Sequence, residues 1–337
     1  MSVAVDLAMV WAFIIAFAVF VYIVMDGFDL GLGILFPLFP RKADRDVIMN
    51  SVAPVWDGNE TWLVLGGGGL MAAFPLAYAV LMPALYTPVI AMLVGLIFRG
   101  VAFEFRWRTT QRERNRWDVA FFGGSLVAAL AQGVALGAIL QGVHVEGRQY
   151  AGGWWDWLTP FSVLTGISVL VGYALLGATW LVMKTEGALR DKAYQLSWVL
   201  LFAMLGAIVA VSLATPFLSV QYTQRWFTWP NIILTAPVPL AVAAVTALLL
   251  RSLANKYDYQ PFFLTLALFL LSYAGLGISM YPYIVPQSIT IWEAASPPNS
   301  QIFMLVGVAI LIPLILAYTG WAYWVFRGKV RPGGGYH

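Results

Sequence analysis

Six ionisable side chains occupy places where the chain is otherwise apolar. Asp26 and Asp29 close one hydrophobic run in MDGFDLGLG, Asp57 and Glu60 open the next in VAPVWDGNETWLVLGGGGL, and Arg99 and Glu104 end a third in IFRGVAFEFR. Carboxylates three residues apart share a helix face, so each acidic pair would present both groups to the same surroundings. A charge at membrane depth costs at least about 2.5 kcal/mol on insertion scales, which is why such groups face a bundle interior or a wet cavity and mark ion or proton paths. One arginine does not neutralise five carboxylates, and the uncompensated ones would carry protons. The other reading is a buried ion-pair network around Arg99 that only fixes helix packing.

The elements that must position these groups follow from composition. Of the 337 residues 61% are hydrophobic and only 10% are charged, and mean hydropathy is +0.80, which places the chain among polytopic membrane proteins. Apolar runs of about 20 residues, enough to cross a hydrocarbon layer of about 30 Å, centre on 8–30, 53–73, 79–104, 118–140, 160–183, 193–213, 231–250, 262–281 and 302–326. Runs of that length are too long for strands of a transmembrane barrel, so the expectation is an all-α fold of nine transmembrane helices. The length suits one integral membrane domain of two four-helix bundles, over about 8–140 and 160–281, with a peripheral ninth helix at 302–326.

Basic residues set the orientation. One alternate set of loops holds Arg41, Lys42 and Arg45; Arg106, Arg108, Arg112, Arg114 and Arg116; Lys184, Arg190 and Lys192; Arg251 and Lys256; and Arg327, Lys329 and Arg331, whereas the other set holds Arg148 and Arg225 only. The positive-inside rule then places the N-terminus in the periplasm and the C-terminus in the cytoplasm. The net charge of +3 is a topological signal, and no basic patch beside aromatics points to nucleic acid. MSVAVDLAMV lacks a positive leader region, so the first helix is expected to serve as the insertion signal.

Within the first span the uncharged run to Met25 is followed by LGLGILFPLFP, too long for one straight crossing. Either the helix tilts and leaves Asp26 and Asp29 at membrane depth, or it ends at an interfacial turn set by Pro37 and Pro40. Gly27 with Gly31, and Gly133 with Gly137, are small-xxx-small pairs that admit a close neighbour. Gly66 to Gly69 imply close packing or a local break. Antiparallel succession brings the end of one helix beside the start of the next, so the two acidic pairs are expected at one depth, with Arg99 and Glu104 at the same level. The tryptophans Trp154, Trp155, Trp157, Trp226 and Trp229 fall in outside loops and read as interfacial belts.

Other chemistries find little support. There are no cysteines and two histidines, His144 in a loop beside Glu146 and His337 at the last position, so no helix-borne histidine is available for haem. No P-loop, dinucleotide fingerprint, HExxH or nucleophile elbow is present.

The segments MDGFDLGLGILFP, MNSVAPVWDGNETWLVLGGGGLMAAFPLAY and LIFRGVAFEFR together resemble the second, haem-free subunit of the cytochrome bd-type quinol oxidases, a group that includes the cyanide-insensitive oxidases of bacteria. The resemblance runs over essentially the whole chain and is strongest over the first 110 residues. It implies a multi-pass subunit in the bacterial cytoplasmic membrane, part of a respiratory enzyme that oxidises quinol and reduces dioxygen to water. It further implies a haem-bearing catalytic partner with two b-type haems and a haem d or b-type substitute. A small accessory subunit, membrane lipid and a structural quinone also belong to what the family allows. By motif position it assigns proton delivery to Asp57 first, with Glu60, Asp29 and Asp26 in support, and puts Trp62 on an oxygen route; Glu104, and Arg99 as the charge partner, join that path from their place at the same level. No catalytic, cofactor or metal residue is assigned to this chain.

Two other functions remain from the residues alone. A secondary transporter also uses buried acids and broken helices but calls for two equivalent halves, whereas the acids here lie in the first three spans. A purely structural membrane partner would use the same charges to seal an interface.

Overall fold

Long apolar stretches with few breakers become long helices, and the computed structural model describes residues 6–330, Gln111 and Arg112 by backbone alone. Arg331 and His337 lie outside them. The helices are α1 (Leu7–Leu35), α2 (Lys42–Val52), α3 (Trp56–Ala73), α4 (Pro75–Ala84), α5 (Tyr86–Arg108), α6 (Gln111–Gln141), α7 (Pro160–Lys184), α8 (Gly187–Ala214), α9 (Val220–Phe227), α10 (Asn231–Thr235), α11 (Pro237–Ala254), α12 (Gln260–Met280), α13 (Ile291–Ala294) and α14 (Pro298–Val325). Two short antiparallel hairpins, β1 (Val145–Glu146) with β2 (Gln149–Tyr150) and β3 (Tyr283–Val285) with β4 (Ile289–Thr290), lie between helices.

Helix ends are set by local chemistry. The Asp6 carboxylate accepts from Met9 N at 3.1 Å and caps α1. Thr110 with Glu113 forms a capping box at α6, and Thr159 with Ser162 caps α7 just before Pro160. The helix α3 stops at Ala73 because Pro75 drives Phe74 out of the helical region, to φ −131 and ψ 63.

Eight segments among the described residues are long and apolar enough to cross a membrane: Leu7–Leu38, Tyr86–Arg108, Glu113–Gln141, Pro160–Lys184, Gly187–Phe217, Asn231–Ala254, Gln260–Met280 and Pro298–Val325. They coincide with eight of the nine expected runs. The other run, 53–73, is helical as α3, but its polar first turns lower its hydropathy. The third run was expected from residue 79; instead the short α4 intervenes and α5 begins at Tyr86. The surface helix α2 was not expected at all. Its sequence KADRDVIMNSV is too short and charged to read as a span, and it buries Val47, Ile48, Met49 and Val52.

The helix α1 continues through both aspartates to Leu35, and a 3-10 turn at Phe36–Leu38 follows. Its 29 residues span about 43 Å at 1.5 Å each. It therefore meets both expectations at once, with the acids inside the helix and the turn at Pro37. Close backbone approach explains its glycines. A Cβ on Gly31 would strike the Tyr173 carbonyl, and one on Gly27 would lie 2.7 Å from the Tyr173 ring, so α1 and α7 can approach only because those side chains are missing. The pair Gly133 and Gly137 does the same for α6 against α7, where a Cβ on Gly133 would meet Gly166 Cα at 2.6 Å. Thus α7 packs on α1, α6, α8 and α12, and the packing runs across the boundary between the two expected bundles. Phe28 stacks on Trp180 at 4.2 Å in the middle of this core.

Four of the five basic loops converge on one end of the molecule together with the segment after α14. Arg45 reaches Asp118 at 2.9 Å, Lys192 donates to the Leu38 carbonyl, and Asp258 receives Arg190 at 3.3 Å and Lys329 at 2.5 Å. At the other end Asp6 accepts from Trp292 Nε1 at 2.7 Å and Tyr222 donates to the Leu140 carbonyl at 2.8 Å. Trp154, Trp155 and Trp229 are exposed, as an interfacial belt requires, while Trp226 turns inward and donates to Ser279.

Candidate functional site

The carboxylates are gathered by three helices and a tyrosine from a fourth. On α1, Asp26 and Asp29 are fully buried. Across from them α3 presents Asn59 and Glu60, and α5 presents Arg99, also fully buried. Arg99 Nη1 lies 2.7 Å from Asp26 Oδ1, an ion-pair distance without hydrogen-bond alignment. Its Nη2 donates to Glu60 Oε1. Asn59 Nδ2 donates to Asp29 Oδ2 at 2.8 Å and to the Met25 carbonyl at 3.3 Å, and Asn59 Oδ1 accepts from the Tyr323 hydroxyl of α14 at 2.9 Å.

The result is one guanidinium facing three buried or half-buried carboxylates. Arg99 satisfies one full negative charge; two remain for protons or neutral donors to balance, because an isolated buried charge is far costlier than a neutral acid. Asn59 is placed to serve either form of Asp29, since its amide donates to the carboxyl and its own oxygen is held by Tyr323. A cavity of about 20 Å³ opens beside this chain of groups, lined by Gly58, Asn59 and Tyr323 with Val55, Thr319 and Ala322. That is room for one water-sized molecule.

Sequence expectations divide here. Asp26, Asp29, Glu60 and Arg99 come together as expected. Asp57 does not join them: it lies on the exposed side of the first turn of α3, without an ion-pair partner among the described residues. Glu104 also stays out, exposed and 3.7 Å from Arg108. Five residues past Arg99 is a rotation of about 140° around the helix, so Arg99 turned inward leaves Glu104 turned outward. Trp62 is fully buried, edge-on to Phe17 at 5.9 Å and beside Ala18 and Tyr22.

The glycine run divides in the same manner. A Cβ on Gly66 would meet Val19 at 3.1 Å and one on Gly69 would meet Ile15 at 3.2 Å, whereas Gly67 and Gly68 have open space. The helix is unbroken through all four, so the break falls at Phe74 and the run supplies close packing on α1 instead.

Several participants were not singled out from the sequence. Asn59 stands inside the WDGNE motif, and Tyr323 lies in an aromatic-rich last span where nothing local distinguishes it. Tyr22 and Tyr173 both bond Gln132, at 2.8 and 2.7 Å, in a second buried polar chain beside the acids. On the same α5 face as Arg99, Arg106 binds Asp118 at 2.6 Å and Asp46 at 2.7 Å. No three His, Cys, Asp or Glu side chains among the described residues form a metal-ion site. His144 is 63% exposed and 3.3 Å from Glu146, which does not fit an axial haem ligand.

Comparison with known proteins agrees with the motifs. The family of cytochrome bd terminal oxidase subunit II matches residues 7–326. The cytochrome bd-I ubiquinol oxidase subunit 2 of Escherichia coli K12 is 33% identical over 96% of this chain and 95% of its own length. The cytochrome bd ubiquinol oxidase subunit 2 of Bacillus subtilis is 27% identical over 95% and 96%. A chain in the structure of bd oxidase from Geobacillus thermodenitrificans shares the fold, with a TM-score of 0.73 and 18% identity, covering 95% of this chain and 99% of that one. Eight apolar helices and these relatives describe a multi-pass protein of the bacterial inner membrane, and the carrier reading falls away. The chain belongs to the cytochrome bd terminal oxidase subunit II family and is a subunit of a respiratory terminal oxidase.

Proposed function

We propose that this subunit carries protons from the basic, cytoplasmic end of the molecule toward a haem-bearing subunit I, and that the Asp26, Asp29, Glu60 and Arg99 cluster is where they reside in transit. The observation that carries this reading is the charge imbalance: three carboxylates gather on one buried guanidinium. A fixed salt bridge needs one acid per base. A surplus of acids lets a proton occupy one of several nearly equivalent oxygens and leave again.

The route is built from short steps. Asp57 stands at the surface of the first turn of α3 and Glu60 one turn deeper on the arginine. Glu60 and Asp26 share Arg99, and Asp29 continues through Asn59 to Tyr323. Glu104, exposed beside Arg108, collects protons at the surface in this scheme. The buried Ala18 and Trp62, with the half-buried Phe17, form an apolar wall next to the cluster, which supports the reading of Trp62 as part of an oxygen route.

Reduction of dioxygen to water consumes four protons, and drawing them from the cytoplasm while quinol protons leave outside makes turnover electrogenic. The haems and their redox chemistry belong to subunit I. This chain's own residues bind, orient and hand over protons. Counting α3 with α4 as a ninth crossing beside the eight apolar helices puts the two termini on opposite sides, and the basic residues gathered at one end support an N-terminus in the periplasm. Exposed apolar side chains along α14, such as Phe303 at 81%, and the open faces of Gly67 and Gly68 suit lipid or the catalytic partner.

The assembled oxidase carrying Asp57→Asn tests the outer step. Slower turnover and slower charge translocation, by about tenfold, are expected. Wild-type rates for both would remove Asp57 from the route.

A further inference from the structure

A second cleft shares no residue with the carboxylate cluster. It has a volume of about 510 Å³ and lies where α11 ends and α12 begins, lined by Arg251, Ser252, Tyr257, Tyr259 and Gln260 with Leu248, Phe263 and Leu264. A ligand pocket commonly falls in this size range. Three features give it a chemistry. Arg251 is exposed and has no carboxylate or carbonyl partner among the described residues. Ser252 is 1% exposed, and its Oγ is buried in the cleft wall without a hydrogen-bond partner. No acid lines the cleft, because Asp258, the acid of the intervening turn, is held by Arg190, Lys329 and Tyr194.

We propose that this cleft binds the headgroup of an anionic phospholipid. The guanidinium is a fork suited to phosphate oxygens, and the Ser252 hydroxyl and the tyrosine and glutamine side chains add neutral donors. Leu248, Phe263 and Leu264 line the cleft from within the apolar helices α11 and α12, so acyl chains have an apolar wall to lie along. Arg251 and Lys256 belong to the loops that converge with Lys329 and Arg190 at the basic end, and basic pockets between transmembrane helices on that side recognise anionic lipids. A quinone ring brings no charge to balance Arg251, so phosphate is the better match.

The test uses the assembled oxidase in detergent, incubated with phosphatidylglycerol or phosphatidylcholine and weighed intact by native mass spectrometry. Wild type is expected to retain phosphatidylglycerol in preference to phosphatidylcholine. Arg251→Gln is expected to weaken that retention about tenfold, the usual worth of a charge-assisted hydrogen bond, with turnover unchanged. Ser252→Ala, which leaves the fold undisturbed, is expected to weaken it several-fold. Equal retention in wild type and both variants overturns the proposal, as does equal retention of the two lipids. Displacement of phosphatidylglycerol by inorganic phosphate alone would assign the cleft to a soluble anion and overturn the lipid.

Discussion

Helix α5 carries two buried arginines seven residues apart, and they are built for different ends. Seven residues is close to two turns, so both look to nearly the same side of the helix. Arg106 sits among Asp46 and Asp118, and Arg45 supplies a second cation on Asp118. Two bases meet two acids, and Arg45 Nε also ties down the Phe39 carbonyl at 2.7 Å. Arg99, one cation, meets Asp26 and Glu60, with Asp29 bonded alongside through Asn59. A balanced set is a clamp that joins α2, α5 and α6. The unbalanced set around Arg99 has acids to spare, and in the proposed function this imbalance is what separates a proton station from a structural bridge.

Breaking each centre exposes the contrast. Arg99→Gln should have the largest effect, because it leaves three acids without their cation. Loss of a partner from a buried pair costs about 3–5 kcal/mol, so thermal unfolding of the assembled oxidase should shift strongly downward and turnover per complex should collapse. Arg106→Gln should cost less, about 1–3 kcal/mol, since Arg45 still serves Asp118 and Asp46 is 33% exposed. Its unfolding temperature should fall while turnover per assembled complex stays near wild type. Loss of turnover in Arg106→Gln equal to that in Arg99→Gln would erase the distinction between the two centres.

The smallest effect belongs to Asp258, outside the spans. Burial pushes its carboxyl up, but the Lys329 ammonium and the Arg190 guanidinium outweigh that and hold it below the usual carboxylate range. A depressed folded-state value stabilises the protein above the ordinary carboxylate pKa of about 3.9, and the gain disappears as pH falls through the lower folded value. Asp258→Asn should flatten that acid-side slope and cost well under about 1 kcal/mol at neutral pH. An unchanged slope in a pH series of unfolding temperatures would show that the tie from the segment after α14 to this turn is idle.

Much of this arrangement is legible in the sequence because lipid imposes strict rules. Apolar run length gives nine runs, eight of which coincide with apolar helices long enough to span, and charge cost marks Asp26, Asp29, Asp57, Glu60, Arg99 and Glu104 as one centre, which Asp57 and Glu104 do not join. What is not legible depends on rotation about helix axes. Asp57 and Glu60 are as closely spaced as Asp26 and Asp29, yet α1 is enclosed on several sides by α3, α6 and α7 and buries both of its acids, whereas α3 has an open side, half-buries Glu60 and leaves Asp57 exposed. Glu104 faces outward for the same reason. Asn59 and Tyr323 escape notice because a neutral amide and a phenol are ordinary in membrane helices, and only the meeting of α14 with α3, 264 residues apart along the chain, gives them a shared partner. The helix α2 escapes because short, charged and amphipathic segments do not register as spans.

The central claim is that the surplus of acids around Arg99 moves protons. Purified oxidase reconstituted into vesicles, with charge translocation followed during quinol oxidation, tests it through Asp26→Asn beside Asp118→Asn. Asp26→Asn is predicted to slow turnover and charge movement together by about tenfold or more, while Asp118→Asn leaves both near wild type in the complex that assembles. Wild-type charge movement in Asp26→Asn, with Arg99 left paired to Glu60 alone, would contradict the account.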